Sequence, residues 1–297
     1  TRKESSAASD VNKRQPVNES NIQRLIEKQT RNKSGHLSYE DIRRGHGHVR
    51  NKLERFRAEG ISYVTADSVH ESDLQGLALI LESLPYSIIL AGSAGLMSCL
   101  PKAFNLKERE LGQTVPSSDQ PIMFVVGSMS RTGREQLHEL FAGRAAEKIE
   151  MRSERVLCGG AEKRNEFERL KERAADARRR SKHLVLCTSD NAAETQKIGE
   201  SRGLTPVQTS NAVSGALGEL AGELIQAFRV KRLFLTGGDT AYQVLHQLRI
   251  HEIRLLDEVE PGIPLGAAGE ELYIVTKAGN FGSRSVMVSA AIKLQGG

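Results

Sequence analysis

A glycine pair that joins an apolar segment to a helical one carries the clearest chemical signal in the chain. The segment 233–236 is apolar or β-branched, as in a strand buried within a parallel sheet. Gly237 and Gly238 can take positive φ and let an anion approach the backbone N–H groups closely. Asp239 and Thr240 then read as the cap and first turn of a helix. The pattern predicts a phosphate cradle, and a tight βα turn that binds nothing is the open alternative.

Two more loops rich in glycine follow predicted strands. Gly127-Ser-Met-Ser130 follows the strand 122–126, and the loop Lys277-Ala-Gly-Asn-Phe-Gly282 follows the strand 271–276. Ligands of open α/β sheets bind beyond the carboxyl ends of the strands, so we expect these loops and the glycine pair to converge on one ligand. Two roles stay open for Lys277, neutralising phosphate charge or supporting the structure.

Hydrophobic periodicity places these loops in a chain that alternates strands and helices. In the first part we predict strands at 61–66 and 87–91, and helices at 20–29, 39–59, 73–84 and 96–104. In the second part we predict strands at 122–126, 184–188, 232–236, 253–256 and 271–276, helices at 132–148, 194–202, 211–228 and 239–248, and a final helix. Such alternation is typical of parallel or mixed sheets covered by helices on both faces.

Composition suggests how this chain is divided. Its 297 residues suit two α/β domains. The polar stretch 105–120 reads as a linker because it contains Gly112, Pro116 and adjacent serines. We therefore predict a disordered segment at 1–15, a first domain at 16–118 and a second domain at 119–297.

Charge and cysteine content narrow the class of protein. No apolar run reaches transmembrane length and no signal-peptide core is present, so we expect a cytoplasmic protein with no membrane partner. Three cysteines without C-x-x-C spacing argue against a disulfide framework or a zinc site. The net charge of +5 makes nucleic acid a rival partner. The basic run 178–183 ends a charged helical stretch, and the chain has no tryptophan for base stacking, so we expect no nucleic-acid partner.

Five motifs, read together and in this order, resemble the four-carbon acid sugar kinase family. They are Gln15-Pro-Val-Asn-Glu-Ser20 with Gln29-Thr30, Ala91-Gly-Ser-Ala-Gly-Leu96, Val126-Gly-Ser-Met-Ser130, Thr236-Gly-Gly-Asp-Thr240 and Lys277-Ala-Gly-Asn-Phe-Gly282. The resemblance extends from about residue 16 to residue 294. It is strongest after residue 121, over what would be the nucleotide-binding domain of the family.

The resemblance implies ATP-dependent phosphorylation of a small hydroxy acid such as a threonate, an erythronate or an oxo-tetronate, with Mg²⁺ as the metal. It places the nucleotide against nine residues: Ser128, Ser130, Gly237, Gly238, Asp239, Thr240, Lys277, Gly279 and Gly282. Asp239 would also contact the metal, or else cap its own helix. Asp67 and Ser93 are assigned to the acid sugar, with capping as the open alternative for Asp67 and a hinge role as that for Ser93. The partners are then a nucleotide and a small acid sugar, and a homodimer stays open.

One departure from the family limits the functional assignment. Similar kinases begin with a substrate domain that opens on an Asp-Asp-x-Thr-Gly-Ala segment, and no Asp-Asp pair occurs in this chain. The expected fold is therefore α/β with two three-layer α/β/α domains, the first incomplete, and the catalytic residues stay unassigned. Two functions remain, an acid sugar kinase that is truncated or inactive as this chain, and a non-catalytic nucleotide-binding or effector-like protein of the same fold.

Overall fold

The computed structural model describes residues 19–107, 114–127, 130–143, 145–189, 191–269 and 271–297. The described residues fall into two compact units, one within Arg14–Glu110 and the other within Leu111–Gly297. The segment 1–15, predicted to be disordered, lies outside the described residues, as does Ser128.

The smaller unit is built around two short parallel strands. Its elements are α1 (Ile22–Thr30), β1 (Ser34–Leu37), α2 (Tyr39–Arg43), α3 (His46–Ala58), β2 (Tyr63–Ala66), α4 (Glu71–Glu82) and α5 (Ala94–Ala103). Ser34 pairs with Tyr63 and Leu37 with Ala66. The core consists of buried side chains from β1, α2, α3 and α4, namely Leu37, Ile42, Val49, Leu53, Leu77 and Ile80.

Three predictions for this unit were wrong in detail. The helix predicted at 39–59 is two helices, because Gly45 between them takes φ 86°, which an α-helix cannot include. The strand predicted at 87–91 does not form, and Ile89 within it is 99% exposed. The helix predicted at 73–84 begins earlier, at Glu71. Asp73 lies at its third position and accepts hydrogen bonds from the N–H groups of Val69 and His70.

The larger unit contains a mixed sheet of seven strands. Its strands are β3 (Met123–Val126), β4 (Ala146–Met151), β5 (His183–Thr188), β6 (Arg232–Thr236), β7 (Arg254–Glu260), β8 (Ile263–Ala268) and β9 (Leu272–Lys277). Its helices are α6 (Arg131–Ala142), α7 (Ser153–Cys158), α8 (Gly160–Arg179), α9 (Ala192–Ser201), α10 (Pro206–Phe228), α11 (Gly238–Gln247) and α12 (Val286–Leu294). The strand order is β4-β5-β3-β6-β9-β8-β7. Neighbouring strands from β4 to β9 pair in parallel, whereas the β9–β8 and β8–β7 pairs are antiparallel.

Helices cover both faces of this sheet, which confirms the predicted α/β fold. Side chains alternate along β3, so Met123 and Val125 pack with residues of α8, α10 and α11, whereas Phe124 and Val126 pack with residues of α6 and α12. All four side chains are fully buried. The near-continuous apolar sequence of the central strands is explained by this double burial.

The chain path creates a crevice beside β3. The loop after β3 leads to α6 on one face of the sheet, whereas the loop after the adjacent β6 leads to α11 on the opposite face. Loops that diverge in this way leave room between them beyond the strand ends. The crevice therefore lies at the carboxyl ends of β3 and β6, where the glycine loops begin.

Two strands of this unit escaped sequence prediction. The helix predicted at 132–148 ends at Ala142, and β4 occupies its last part, pairing in parallel with β5. The strand β8 was not predicted, and it pairs with both β7 and β9.

A buried arginine closes the unit at the opposite end of β6. Arg232 is 4% exposed, and its Nε and Nη2 atoms donate to the carbonyl oxygens of Leu294 at 2.6 Å and Pro116 at 2.8 Å. The Ser118 N–H donates to the carbonyl of Gln295 at 3.1 Å. These bonds hold the segment before β3 against the end of the last helix.

Candidate functional site

Three loops begin side by side at the carboxyl edge of the sheet. In the strand register Val126 lies beside Thr236, and Thr236 lies beside Lys277. The Gly127 N–H donates to the carbonyl of Thr236 at 3.4 Å, and the Gly237 N–H donates to that of Lys277 at 3.0 Å. The structure thus brings together the three loops that the sequence singled out.

The first two loops touch through a glycine and a threonine. Thr240 is 3% exposed, and a Cβ added to Gly127 would lie 1.7 Å from its Oγ1 atom. Only a residue without a Cβ fits at position 127 in this arrangement. Thr240 therefore packs beneath the loop that follows β3, and it does not cap α11.

The N-terminus of α11 is set by Gly237 and not, as predicted, by Asp239. Gly237 is the N-cap, with φ 95°, which favours glycine, and no side chain caps this helix. The N–H groups of the first turn have no intrahelical partner, and they lie at the positive end of the helix dipole. The turn can thus donate hydrogen bonds to an anion placed above β6.

Gly238 has no structural reason to be glycine. Its φ is not positive, and a Cβ added there would meet no atom within 4 Å. At Gly282, by contrast, φ is 83° and a Cβ would lie 2.7 Å from Cδ1 of Ile263, so backbone conformation and packing explain that glycine. The missing side chain at position 238 leaves open space directly above the first turn of α11.

Asp239 is an exposed carboxylate at the second position of α11. Within the part of the chain that the structure describes, no three His, Cys, Asp or Glu side chains are grouped so that they could hold a metal ion. The metal contact predicted for Asp239 therefore stays a prediction.

Ser130 connects the loop after β3 with the loop after β9. Its Oγ accepts from the Gly133 N–H at 3.0 Å, which caps α6, and donates to the carbonyl of Gly279 at 3.1 Å. Both contacts are internal, so the hydroxyl group holds the two loops in a fixed relation.

Lys277 is buried at the end of β9. It is 4% exposed, and its Nζ donates to the carbonyl oxygens of Ala278 at 3.0 Å, Gly279 at 2.9 Å and Phe281 at 3.1 Å. Burial lowers the pKa of Lys277 to about 8, against the opposing effect of the Glu260 carboxylate. All three N–H groups of the ammonium donate within its own loop, so Lys277 can stabilise a bound anion only through its charge.

Gln136 is a site residue that sequence reasoning missed. It lies on α6 with 0% exposure, and its Nε2 atom lies 3.0 Å from the carbonyl oxygen of Phe281, 3.3 Å from that of Gly282 and 2.9 Å from that of Ser283. A glutamine on a helix gives no local signal of such long-range contacts, so the sequence alone could not reveal it.

The residues predicted to hold the acid sugar belong to the smaller unit. Asp67 follows β2, and its Oδ2 lies 3.3 Å from Nε2 of His36, whose Nδ1 lies 2.9 Å from Oγ1 of Thr65. Ser93 is the N-cap of α5 but makes no capping bond with its side chain. Its hydroxyl is therefore not committed to its helix.

The basic run that made nucleic acid a rival partner makes contacts within its own unit. In the basic run, Arg178 lies over the Phe228 ring, while Arg179 and Arg180 pair with Asp176. Among the helices that the structure describes, none has the length and apolar content required to cross a bilayer.

Comparison with known proteins identifies two family models. One, described as a nucleotide-binding C-terminal domain, matches residues 123–287. The other, described as a sugar-binding N-terminal domain, matches residues 3–100. The first covers the three glycine loops, and the second covers Asp67 and Ser93.

Two curated relatives agree with these models. The D-threonate kinase of Salmonella typhimurium is 30% identical over 93% of this chain and 64% of its own length. A 3-oxo-tetronate kinase of Pseudomonas savastanoi pv. phaseolicola is 28% identical over 95% of this chain and 63% of its own length. The chain thus spans a little under two thirds of the length of these relatives.

Solved structures show the same fold. A protein from Salmonella typhimurium LT2 superposes with a TM-score of 0.68 at 23% identity, over 93% of this chain and 63% of its own. A Haemophilus influenzae protein superposes with a TM-score of 0.62 at 21% identity, over 97% and 67% of the two chains.

Proposed function

The chain belongs to the four-carbon acid sugar kinase family, and from that premise we propose that the larger unit binds ATP and that the protein phosphorylates a four-carbon acid sugar. The acceptor would be of the threonate, erythronate or 3-oxo-tetronate type, because the relatives carry names of this kind. The chain spans only part of the length of these relatives, so we propose the complete reaction and do not take it over from them.

The open space at Gly238 is the observation that carries nucleotide binding. Without a side chain at Gly238, the backbone N–H groups at the start of α11 stay open to a molecule outside the chain. The space lies above the uncapped first turn of α11 and beside the diverging loop after β3. A polyphosphate fits this place, because it is anionic and accepts hydrogen bonds from backbone N–H groups.

We assign the residues at this edge of the sheet separate roles in phosphoryl transfer. The first-turn amides of α11, at Gly238, Asp239 and Thr240, would donate to phosphate oxygens. Ser128 and Gly279 are proposed contacts of the phosphates or ribose. Asp239 would hold Mg²⁺ together with phosphate oxygens, and the ion would neutralise charge on the transferring group. In the smaller unit, Asp67 and Ser93 are proposed to contact the acid sugar, and no residue is assigned as the general base.

Thermal unfolding with and without magnesium-ATP tests the nucleotide site. Saturation at a hundred times Kd stabilises a protein by about 2.7 kcal/mol, which corresponds to a rise in Tm of roughly 5–10 °C for a unit of this size. Gly238→Val fills the open space with a side chain and should abolish the rise. Gly215→Val is the matched control, because a Cβ at Gly215 in α10 also meets no atom within 4 Å.

The outcomes separate the two functions. A Tm rise in the wild type and in Gly215→Val, lost in Gly238→Val, supports the nucleotide site. No rise in the wild type contradicts it. Product formation from ATP and a panel of four-carbon hydroxy acids supports the kinase, whereas binding without turnover of any panel member favours a non-catalytic nucleotide-binding protein.

A further inference from the structure

We propose that Lys277 and Gln136 are positioning residues that turn the segment 278–283, here called the Lys277 loop, so that its backbone N–H groups face the nucleotide. This inference rests on the proposed ATP site and concerns how that site is built. Neither side chain needs to touch the ligand. Both act by collecting carbonyl oxygens on the side of the loop away from it.

The two side chains bind almost every carbonyl of the loop. Lys277 Nζ binds the carbonyl oxygens of the first, second and fourth loop residues at 2.9–3.1 Å. Gln136 Nε2 contacts those of the fourth, fifth and sixth residues at 2.9–3.3 Å. The six contacts involve five carbonyl groups: those of Ala278, Gly279, Phe281, Gly282 and Ser283.

The geometry of the peptide bond converts this into a direction for the N–H groups. In a trans peptide the C=O of one residue and the N–H of the next point in opposite directions, and the described chain contains no cis peptide. When the carbonyls of Ala278, Gly279 and Phe281 turn toward the buried donors, the N–H groups of Gly279, Asn280 and Gly282 turn away from them. These three residues are at the surface or partly so, where a ligand can reach them.

Two N–H groups of the loop are already used, which leaves the three just named for a ligand. The Phe281 N–H donates to the carbonyl of Ala278 at 3.1 Å. The Ser283 N–H donates to Oε2 of Glu260 at 2.6 Å, so this end of the loop is tied to β7. Successive N–H groups that face outward form a concavity for anions or carbonyl oxygens. The array follows the strand next to Gly238, so both lie at the same edge of the sheet.

The burial of Gln136 and Lys277 supports a positioning role for both residues. Gln136 is completely buried, and its Oε1 atom has no hydrogen-bond partner in the described structure, so its position is maintained for the Nε2 contacts alone. Lys277 faces carbonyl oxygens instead of a directly bonded carboxylate, and Glu260 is the acidic group that acts on it. A lysine placed to grip phosphate would keep N–H bonds for the ligand, whereas the three here are all spent on the loop.

Hydrogen–deuterium exchange without nucleotide tests the arrangement directly. Lys277→Met and Gln136→Leu remove the donors and keep apolar bulk. The two hydrogen-bonded amides of the loop, those of Phe281 and Ser283, should then exchange about ten-fold faster or more, since one hydrogen bond is worth roughly a factor of ten. Lys231→Met is the matched control, because Lys231 precedes β6 and pairs with Glu271 away from the loop. Exchange that stays at wild-type rates in both loop variants would overturn the proposal.

Nucleotide binding supplies the second readout. Each variant should raise the Kd for ATP about ten-fold, and the double variant should raise it by less than the product of the two, because both residues hold one loop. Lys231→Met should leave the Kd unchanged. Strictly multiplicative effects, or an effect of Lys277→Met without one of Gln136→Leu, would show that Lys277 acts by its charge alone and would refute the positioning role. A wild type that binds no ATP refutes the proposed function, while the exchange rates still report on the loop.

Discussion

Raising the pH should strengthen the fold around Lys277 while it weakens the nucleotide site. The lysine has a pKa of about 8 in the folded protein, against the usual 10.5, because its ammonium group is buried. Between pH 8 and 10.5 the unfolded chain keeps a proton on this lysine that the folded chain has lost. Stability therefore rises with pH over this window. The destabilisation from the buried charge is complete below pH 8 and is relieved as the pH climbs.

The size of the effect is set by the pKa difference. Each pKa unit is worth about 1.4 kcal/mol, so the full window corresponds to about 3 kcal/mol, with most of it gained by pH 10. The same loss of the proton removes one donor from the Lys277 loop, so ATP affinity should fall over the same range. Opposite signs for stability and affinity separate this effect from general alkaline unfolding.

Urea unfolding followed by circular dichroism at pH 7, 8, 9 and 10 measures it. The comparison is the difference in unfolding free energy between the wild type and Lys277→Met, because other titrating groups cancel in that difference. The difference should grow by about 2–3 kcal/mol in favour of the wild type from pH 7 to pH 10. Lys231→Met should show no such trend. A difference between the wild type and Lys277→Met that is flat with pH would refute the buried, charged lysine at the end of β9.

Three further substitutions probe contacts that build the two units. Gly127→Ala should cost about 3 kcal/mol or more, because its Cβ would lie 1.7 Å from Oγ1 of Thr240, and Thr240→Ala should recover part of that loss in the double variant by urea unfolding. Asp41→Asn should cost about 3 kcal/mol at pH 7, because Asp41 is 8% exposed and accepts from Lys52 and from Nε2 of His48 at 2.9 Å. The bonds to Lys52 and His48 hold the pKa of Asp41 well below its usual range, so this cost should fade in unfolding experiments as the pH drops below about 4. Arg232→Met should lower the Tm by several degrees, because it leaves two buried carbonyls without donors.

Each of these substitutions has a clear contrary result. Wild-type stability of Gly127→Ala would mean that the loops after β3 and β6 do not touch. An Asp41→Asn cost that is as large at pH 2 as at pH 7 would mean that the ion pairs do not provide it. An unchanged Tm for Arg232→Met would mean that the carbonyls of Pro116 and Leu294 find water instead.

The sequence was most informative where one pattern dominates a segment. The central strands β3, β5 and β6 are apolar on both faces, and α10 carries apolar residues at three- and four-residue spacing, so these elements were predicted within a few residues. β4 was predicted as the end of a helix, because Ala146-Glu-Lys-Ile-Glu-Met151 has charged helix formers, and its strand state comes from pairing with β5. β8 has a glycine and a proline, which mask its strand character.

The candidate site divides in the same way. The three glycine loops were visible because each follows a recognisable strand, and the topology then places them side by side. The contacts that shape them were not visible. Lys277 looks from sequence like a surface cation, and nothing nearby in the chain indicates that α6 supplies Gln136 to its loop. Contacts between residues about 145 positions apart arise from the fold and leave no local pattern.

The hydrogen bonds of Arg232 determine how the larger unit could be rearranged within a chain. Because one guanidinium group binds the carbonyls of both Pro116 and Leu294, the segment before β3 and the end of α12 lie close together. A module of this kind can be excised, joined end to end or inserted into a host loop without spanning its width. A circular permutant that links Gly297 to the segment before Pro116, and opens elsewhere, should therefore keep the sheet and its crevice intact.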